Sequence, residues 1–149
     1  MNNNLIIRAF YSEDADAVTA IYRHHVLTGT ATFEEQPPKT EEMLRRLSGL
    51  TKTGFPVLVA CTSDDEVTGF AYAGPYKARS AYRFTVEDSI YVGPDHKRKG
   101  IGRALLMQLI SECRQREFKQ ILAVIGDSNN QGSIGLHRAC GFVHVGTAN

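Results

Sequence analysis

No run of this chain is apolar for long enough to cross a membrane, no segment reads as a signal peptide, and no internal repeat or low-complexity linker interrupts it. The economical expectation is one domain over residues 1–149, of ordinary size and with a sizeable core. Cysteine is scarce: Cys61, Cys113 and Cys140 stand far apart in apolar surroundings without metal-ligand spacing. They make neither a disulfide framework nor a metal site, and they read as small core side chains of a protein in a reducing cytoplasm. An excess of charge is missing too. With a formal net charge of +1, a nucleic-acid binder working by bulk electrostatics is not expected, so the partner should be small.

Positive charge concentrates in one place. Residues 86–92 form a β-branched and aromatic run that suits a strand, and Gly93-Pro94-Asp95-His96 stops it. Lys97-Arg98-Lys99-Gly100-Ile101-Gly102-Arg103 then leads into a segment whose apolar residues recur at helical spacing. Glycines between strand and helix let backbone N–H groups crowd round an anion at the first helical turn. Unpaired donors and the positive dipole end already favour negative charge there. Lys97, Arg98, Lys99 and Arg103 add cations, and the expectation is a phosphate or pyrophosphate pocket. A Walker loop is excluded, because Gly102 is followed by Arg103-Ala104 rather than Lys-Ser/Thr. A dinucleotide loop of an oxidoreductase domain is the rival. Gly100, Gly102 and Asp127 suit it, but its third small residue falls on Leu105 and a hairpin precedes it.

Along the chain, residues 5–9 read as a first strand. Ser12-Glu13-Asp14 then supplies an N-cap and acidic first turn for a helix with Ala15, Val18, Ile21 and Tyr22 on one face. That helix is expected to end around His24-His25, with the pair as a helix-end cap. Phe33 lies in a loop, either as a core anchor or as a pocket wall. Thr40 opens a second helix carrying Met43, Leu44, Leu47 and Leu50. Residues 56–62 and 67–73 alternate as an antiparallel hairpin, and the loop over 74–83, dense in cations and aromatics, is either a solvated basic loop or a site for a small anionic ligand. A buried strand over 119–125, a short helix over 131–140 closed by Gly141, and a last strand over 142–145 complete the reading.

Two motifs carry a resemblance. Lys97-x-x-Gly100-x-Gly102 matches the Q/R-x-x-G-x-G/A pyrophosphate loop of the Gcn5-related N-acetyltransferases. Asn130-x-x-Ser133-x-x-Leu136-His137-x-x-x-Gly141-Phe142 matches their Asn…Ala…Leu-Tyr…Gly-Phe segment. In element order almost the whole chain resembles that family, and residues 73–79 and 85–87 are similar to its phosphinothricin and methionine sulfoximine acetyltransferases. The resemblance implies an α/β fold with a central mixed, mostly antiparallel sheet flanked by helices. It implies acetyl-CoA as co-substrate, no metal, and a small amino-acid-like amine of the phosphinothricin, methionine sulfoximine or methionine sulfone type as acceptor. Herbicide or antibiotic resistance, a homodimer, and no nucleic-acid or membrane partner go with it.

Site roles follow from the same resemblance. The pyrophosphate would lie on Lys97, Arg98, Lys99, Gly100, Ile101, Gly102 and Arg103, and the pantetheine arm beside Ile90, Tyr91 and Val92, with the Val92 N–H polarising the thioester carbonyl. Asn130 matches a CoA-contacting asparagine, a position that also caps the following helix. Glu87 matches the carboxylate beside the reacting amine and takes the role of general base, since an ammonium has no lone pair with which to attack. The plainer reading pairs Glu87 with Arg83 or Lys77. His137 stands where the family has a tyrosine that protonates the departing thiolate; either histidine or solvent supplies that proton. Lys77 and Arg79 match cations that hold the acceptor's acid group, with Phe33, Tyr72 and Arg83 as pocket walls. The family continues for one more strand, so the C-terminus reads as short or truncated and leaves an edge at residues 121–125. A sensor or interaction domain that binds acetyl-CoA without catalysis is the alternative, favoured by the absent tyrosine and opposed by Glu87.

Overall fold

The computed structural model describes residues 5–29, 34–76, 84–96, 99–123 and 131–143. Strands β1 (Ile6–Ala9), β2 (Val57–Cys61), β3 (Val67–Pro75), β4 (Thr85–Val92) and β5 (Gln120–Leu122) lie in that order in one sheet. The first four are antiparallel neighbours, and β5 joins β4 in parallel. This mixed, mostly antiparallel sheet is the expected fold class, and it excludes the parallel doubly wound sheet of the dinucleotide reading.

Period-two alternation distributes the core between two faces. Val57, Val59, Phe70 and Tyr91 pack with Val18, Ile21, Tyr22, Met43 and Leu47 of α1 (Ala15–Thr28) and α2 (Thr40–Lys52). Leu58, Ala60, Ala71, Ala73 and Val86 pack with Leu105, Leu109 and Cys113 of α3 (Ile101–Gln115). Alanines on β2 and β3 let α3 settle close to the sheet, and Leu105, Leu106 and Leu109 are fully buried. Helix α4 (Gln131–Ala139) lies against α3.

Three boundaries differ from the sequence reading. Residues Ser12–Asp14 form a separate 3-10 turn before α1. Helix α1 then continues past His24-His25 to Thr28, because His25 extends the buried stripe of Val18, Ile21 and Tyr22. The last expected strand is not one where it is described, at Phe142 and Val143, and its remainder lies outside the described residues, as do Val124 and Ile125 of the strand before. Ile121 and Leu122 are half-buried rather than buried, since β5 has a strand on one side only among the described residues.

The entry to α1 depends on one carboxylate. Asp14 accepts the Arg8 guanidinium at 2.8 and 2.9 Å and the Tyr11 N–H at 2.8 Å. Burial raises its pKa, but the Arg8 and Tyr11 hydrogen bonds outweigh this and hold it below the usual carboxylate range. A depressed pKa stabilises the fold above the unfolded value, and that contribution is lost as pH falls through the folded one. Asp14→Asn is expected to lose about 2 kcal/mol at pH 7, measured by urea unfolding. The difference from the parent should shrink as pH drops through the carboxylate range.

Candidate active site around strand β4

Strand β4 carries two different surfaces and an exposed edge. Glu87, Ser89 and Tyr91 alternate onto the α1–α2 face, while Val86, Asp88, Ile90 and Val92 alternate onto the α3 face. The backbone alternates as well. Gly93 N–H donates to the Thr68 carbonyl at 2.8 Å and Tyr76 N–H to that of Thr85 at 3.4 Å. Antiparallel pairs bonded in this way recur at every second residue, so Tyr91, Ser89 and Glu87 turn their backbone groups to β3, and Ile90 and Val92 turn theirs away from it. On that outer side the pairing with β5, among the described residues, runs as far as Glu87↔Leu122. The N–H groups of Ile90 and Val92 point to the same outer side, past the last described pair. The expected trio therefore divides: Ile90 and Val92 offer backbone groups, whereas Tyr91 supplies an aromatic side chain to the opposite face.

Past the end of β4, the chain turns through Pro94–His96 into the first turn of α3. Gly100 precedes that helix with φ 77°, a left-handed conformation that glycine adopts without strain. The first intrahelical bond there runs from Ala104 N–H to Gly100 O at 3.0 Å. No side chain caps the helix and its first turn holds no acid, so the N–H groups of Ile101, Gly102 and Arg103 point outward as anion donors. Lys99 and Arg103 are exposed beside them, while the Ile101 side chain is a core anchor. Gly102 is needed for a close approach. A Cβ there would lie 3.3 Å from Leu136 Cδ2 and 3.6 Å from Val92 Cγ2, so loop, β4 and α4 meet at this point. This cradle fits a pyrophosphate with an extended arm along β4. Among the described residues no cluster of His, Cys, Asp and Glu is arranged to hold a metal ion.

Glu87 is half-buried opposite Gly74, where a Cβ would lie 3.3 Å from Leu50 Cδ2. Burial first, and then the charge of Asp88, push its pKa up, the direction a general base needs. Among the described residues no cation pairs with it. Further along the same face, the Tyr72 ring lies 6.5 Å from that of Tyr91, and Tyr91 packs 5.1 Å from both Phe70 and Tyr22. The Tyr22 hydroxyl donates to Glu34, which also takes the Arg46 guanidinium. An open groove is lined by Glu34, Pro37, Pro38, Arg45 and Arg46, and among the described residues none of the expected site residues lines it.

His137 lies on α4, on the Asp88 side of β4 rather than the Glu87 side. Its Nε2 is 2.7 Å from Asp88 Oδ2 and its Nδ1 donates to the Ser133 carbonyl at 2.8 Å, so both ring nitrogens are engaged. Two further residues have partners that the sequence did not point to. His25 Nε2 donates to the Val92 carbonyl at 3.0 Å while its ring packs 5.4 Å from Tyr91. Its place in the stripe of α1 was the signal that it faces the sheet. Asp88 is the other; an acid between Val86 and Ile90 on an apolar face calls for a buried partner. His25→Phe keeps a ring against Tyr91 but removes the donor, and is expected to lose about 1 kcal/mol or more in urea unfolding. Phe33, Lys77, Arg79, Arg83, Lys97, Arg98 and Asn130 lie outside the described residues.

The chain as a whole is similar to known enzymes. Residues 17–142 match the model of the acetyltransferase (GNAT) family. Relatives include a phosphinothricin N-acetyltransferase of Alcaligenes faecalis, 50% identical over 140 residues that cover 94% of this chain and 71% of that protein. An L-methionine sulfoximine/L-methionine sulfone acetyltransferase of Salmonella typhimurium is 38% identical, covering 93% and 80%. The crystal structure of a GNAT superfamily phosphinothricin acetyltransferase from Sinorhizobium meliloti in complex with AcCoA superposes with a TM-score of 0.92 at 46% identity, covering 95% of this chain and 76% of that one. The chain belongs to the GNAT family of acetyltransferases.

Proposed function

We propose that this protein transfers the acetyl group of acetyl-CoA to the primary amine of a small amino-acid-like acceptor of the phosphinothricin, methionine sulfoximine or methionine sulfone type. The observation that carries the reading is the junction of β4 and α3, with outward N–H groups at Ile90, Val92 and the first turn of α3. The first turn of α3, with Lys97, Arg98, Lys99, Gly100, Ile101, Gly102 and Arg103, takes the pyrophosphate. Ile90 and Val92 take the pantetheine amides, and Asn130 adds a further contact. Because His25 already occupies the Val92 carbonyl, Val92 contributes its N–H, aimed at the thioester oxygen where negative charge grows during attack. Acetyl-CoA supplies the activated acyl group; the remaining work belongs to the chain.

That work begins with a proton. Glu87, partly desolvated, removes one from the acceptor's ammonium, directly or through water, and so frees the lone pair that attacks. Lys77 and Arg79 hold the acceptor's acid group and turn its amine toward the thioester, with Phe33, Tyr72 and Arg83 as walls. The departing thiolate takes its proton from solvent. Both His137 ring nitrogens already have partners, so its part is to hold position and charge rather than to donate. A cytoplasmic protein of one domain that confers resistance to amino-acid-like inhibitors fits this chemistry. The outer edge of β5 suits a second copy of the chain, to be read as a dimer by light scattering.

The acceptor assignment is tested by comparing amines with and without the acid group. An α-amino acid analogue should exceed the matching alkylamine in kcat/KM by about tenfold or more, the value of one charge-assisted pair. Arg79→Ala should erase that preference while sparing acetyl-CoA affinity. Equal use of both amines by the parent enzyme would contradict the assignment.

A further inference from the structure

We infer that Asp88 is a positioning residue for the acetyl-CoA site: its buried carboxylate holds the His137 ring of α4 against β4, and thereby keeps Leu136 seated on Gly102 of the anion loop. The inference deepens the proposed function, since it rests on that loop being where acetyl-CoA binds.

The proton count follows from geometry. Nδ1 of His137 faces the Ser133 carbonyl at 2.8 Å, and a carbonyl only accepts, so Nδ1 carries a hydrogen. Nε2 faces Asp88 Oδ2 at 2.7 Å. A neutral ring with its hydrogen on Nδ1 would turn a lone pair on the carboxylate, so a second proton lies between the two groups. The side chains are only 9% and 2% exposed, and solvent does not substitute for either partner. Burial works against a charged imidazole, but Asp88, by hydrogen bond and charge, and the Ser133 carbonyl outweigh it and raise the ring's pKa. Glu87 flanks the pair on β4, and Cys113 faces it from α3, its thiol pushed up to about 11 chiefly by burial. The Phe142 ring closes the other side, edge-on at 4.9 Å.

The position of the pair gives it a consequence. Asp88 is the next residue of β4 after the last described β5 pair, Glu87↔Leu122. From there its side chain bonds to His137 of α4. Leu136, adjacent to His137, is the residue that a Cβ on Gly102 would strike at 3.3 Å. One turn of α4 is thus fixed to β4 through His137 and to the start of α3 through Leu136. Without Asp88 the first tie is lost, and a buried ring faces no anion.

Calorimetric titration with acetyl-CoA, without acceptor, tests this independently of Glu87. Asp88→Asn and His137→Gln are each expected to weaken binding about five- to tenfold, and the double variant no further than either single one. Ring ¹⁵N NMR of the unaltered protein should show both His137 nitrogens protonated at pH 7, and the Asp88→Asn ring neutral. Additive losses, or parental affinity in Asp88→Asn, would overturn the inference alone. A neutral His137 in the unaltered protein would do so however the variants fold. No acetyl-CoA binding by the unaltered protein would overturn the loop assignment together with it.

Discussion

Glu87→Gln is expected to lower turnover by about 10²- to 10⁴-fold while leaving acetyl-CoA affinity unchanged. The amide keeps the shape of the side chain and removes its ability to take a proton, and Glu87 lies on the opposite face of β4 from the loop-facing residues. The pH profile should change with it. A base works only when deprotonated, and burial together with Asp88 raises the Glu87 pKa, so the parental rate should fall as pH drops through a point above the ordinary carboxylate range. That limb should be missing from the residual activity of Glu87→Gln. Unchanged turnover in the variant would remove the carboxylate from the chemistry.

Gly102→Val is expected to give the reciprocal pattern, with acetyl-CoA affinity lowered about tenfold or more and an acceptor KM close to the parental one. Even the first added carbon lies 3.3 Å from Leu136 Cδ2 and 3.6 Å from Val92 Cγ2, and the branches of valine need space that neither neighbour leaves. Relieving such a clash means moving the helix start by a fraction of an ångström. Overpacking of this kind costs about 1–3 kcal/mol, and 1.4 kcal/mol is already tenfold in binding. Calorimetry with acetyl-CoA checks the expectation. A variant with parental affinity would show that the start of α3 is not where the anion binds.

The loop and strand were legible because their chemistry is local. Glycines at 100 and 102, cations around them and a β-branched run before them are all adjacent in the chain, and the fold preserves that adjacency. The hairpin and the amphipathic helices were readable for the same reason, through periods of two and of 3.6 residues. Contacts across elements were harder. His25 read as a helix-end residue until its ring was found on the Val92 carbonyl, 67 residues away in the chain. Asp88 was passed over beside Glu87, although strand alternation sends the two carboxylates to opposite faces and only one of them meets α4. The role of His137 depended on that same pairing. A histidine near a thiolate reads as an acid by its ordinary pKa, and nothing in the sequence signalled that both its ring nitrogens are bonded.

The most direct measurement of the account is thiol release from acetyl-CoA in the presence of phosphinothricin, methionine sulfoximine or methionine sulfone, with the acetylated amine identified by mass. Release that requires one of these amines, matched one for one by N-acetyl product and lost in Glu87→Gln, is the predicted result. Tight acetyl-CoA binding with no thiol released by any of the three acceptors would contradict it, and would make the chain a binding domain without the chemistry.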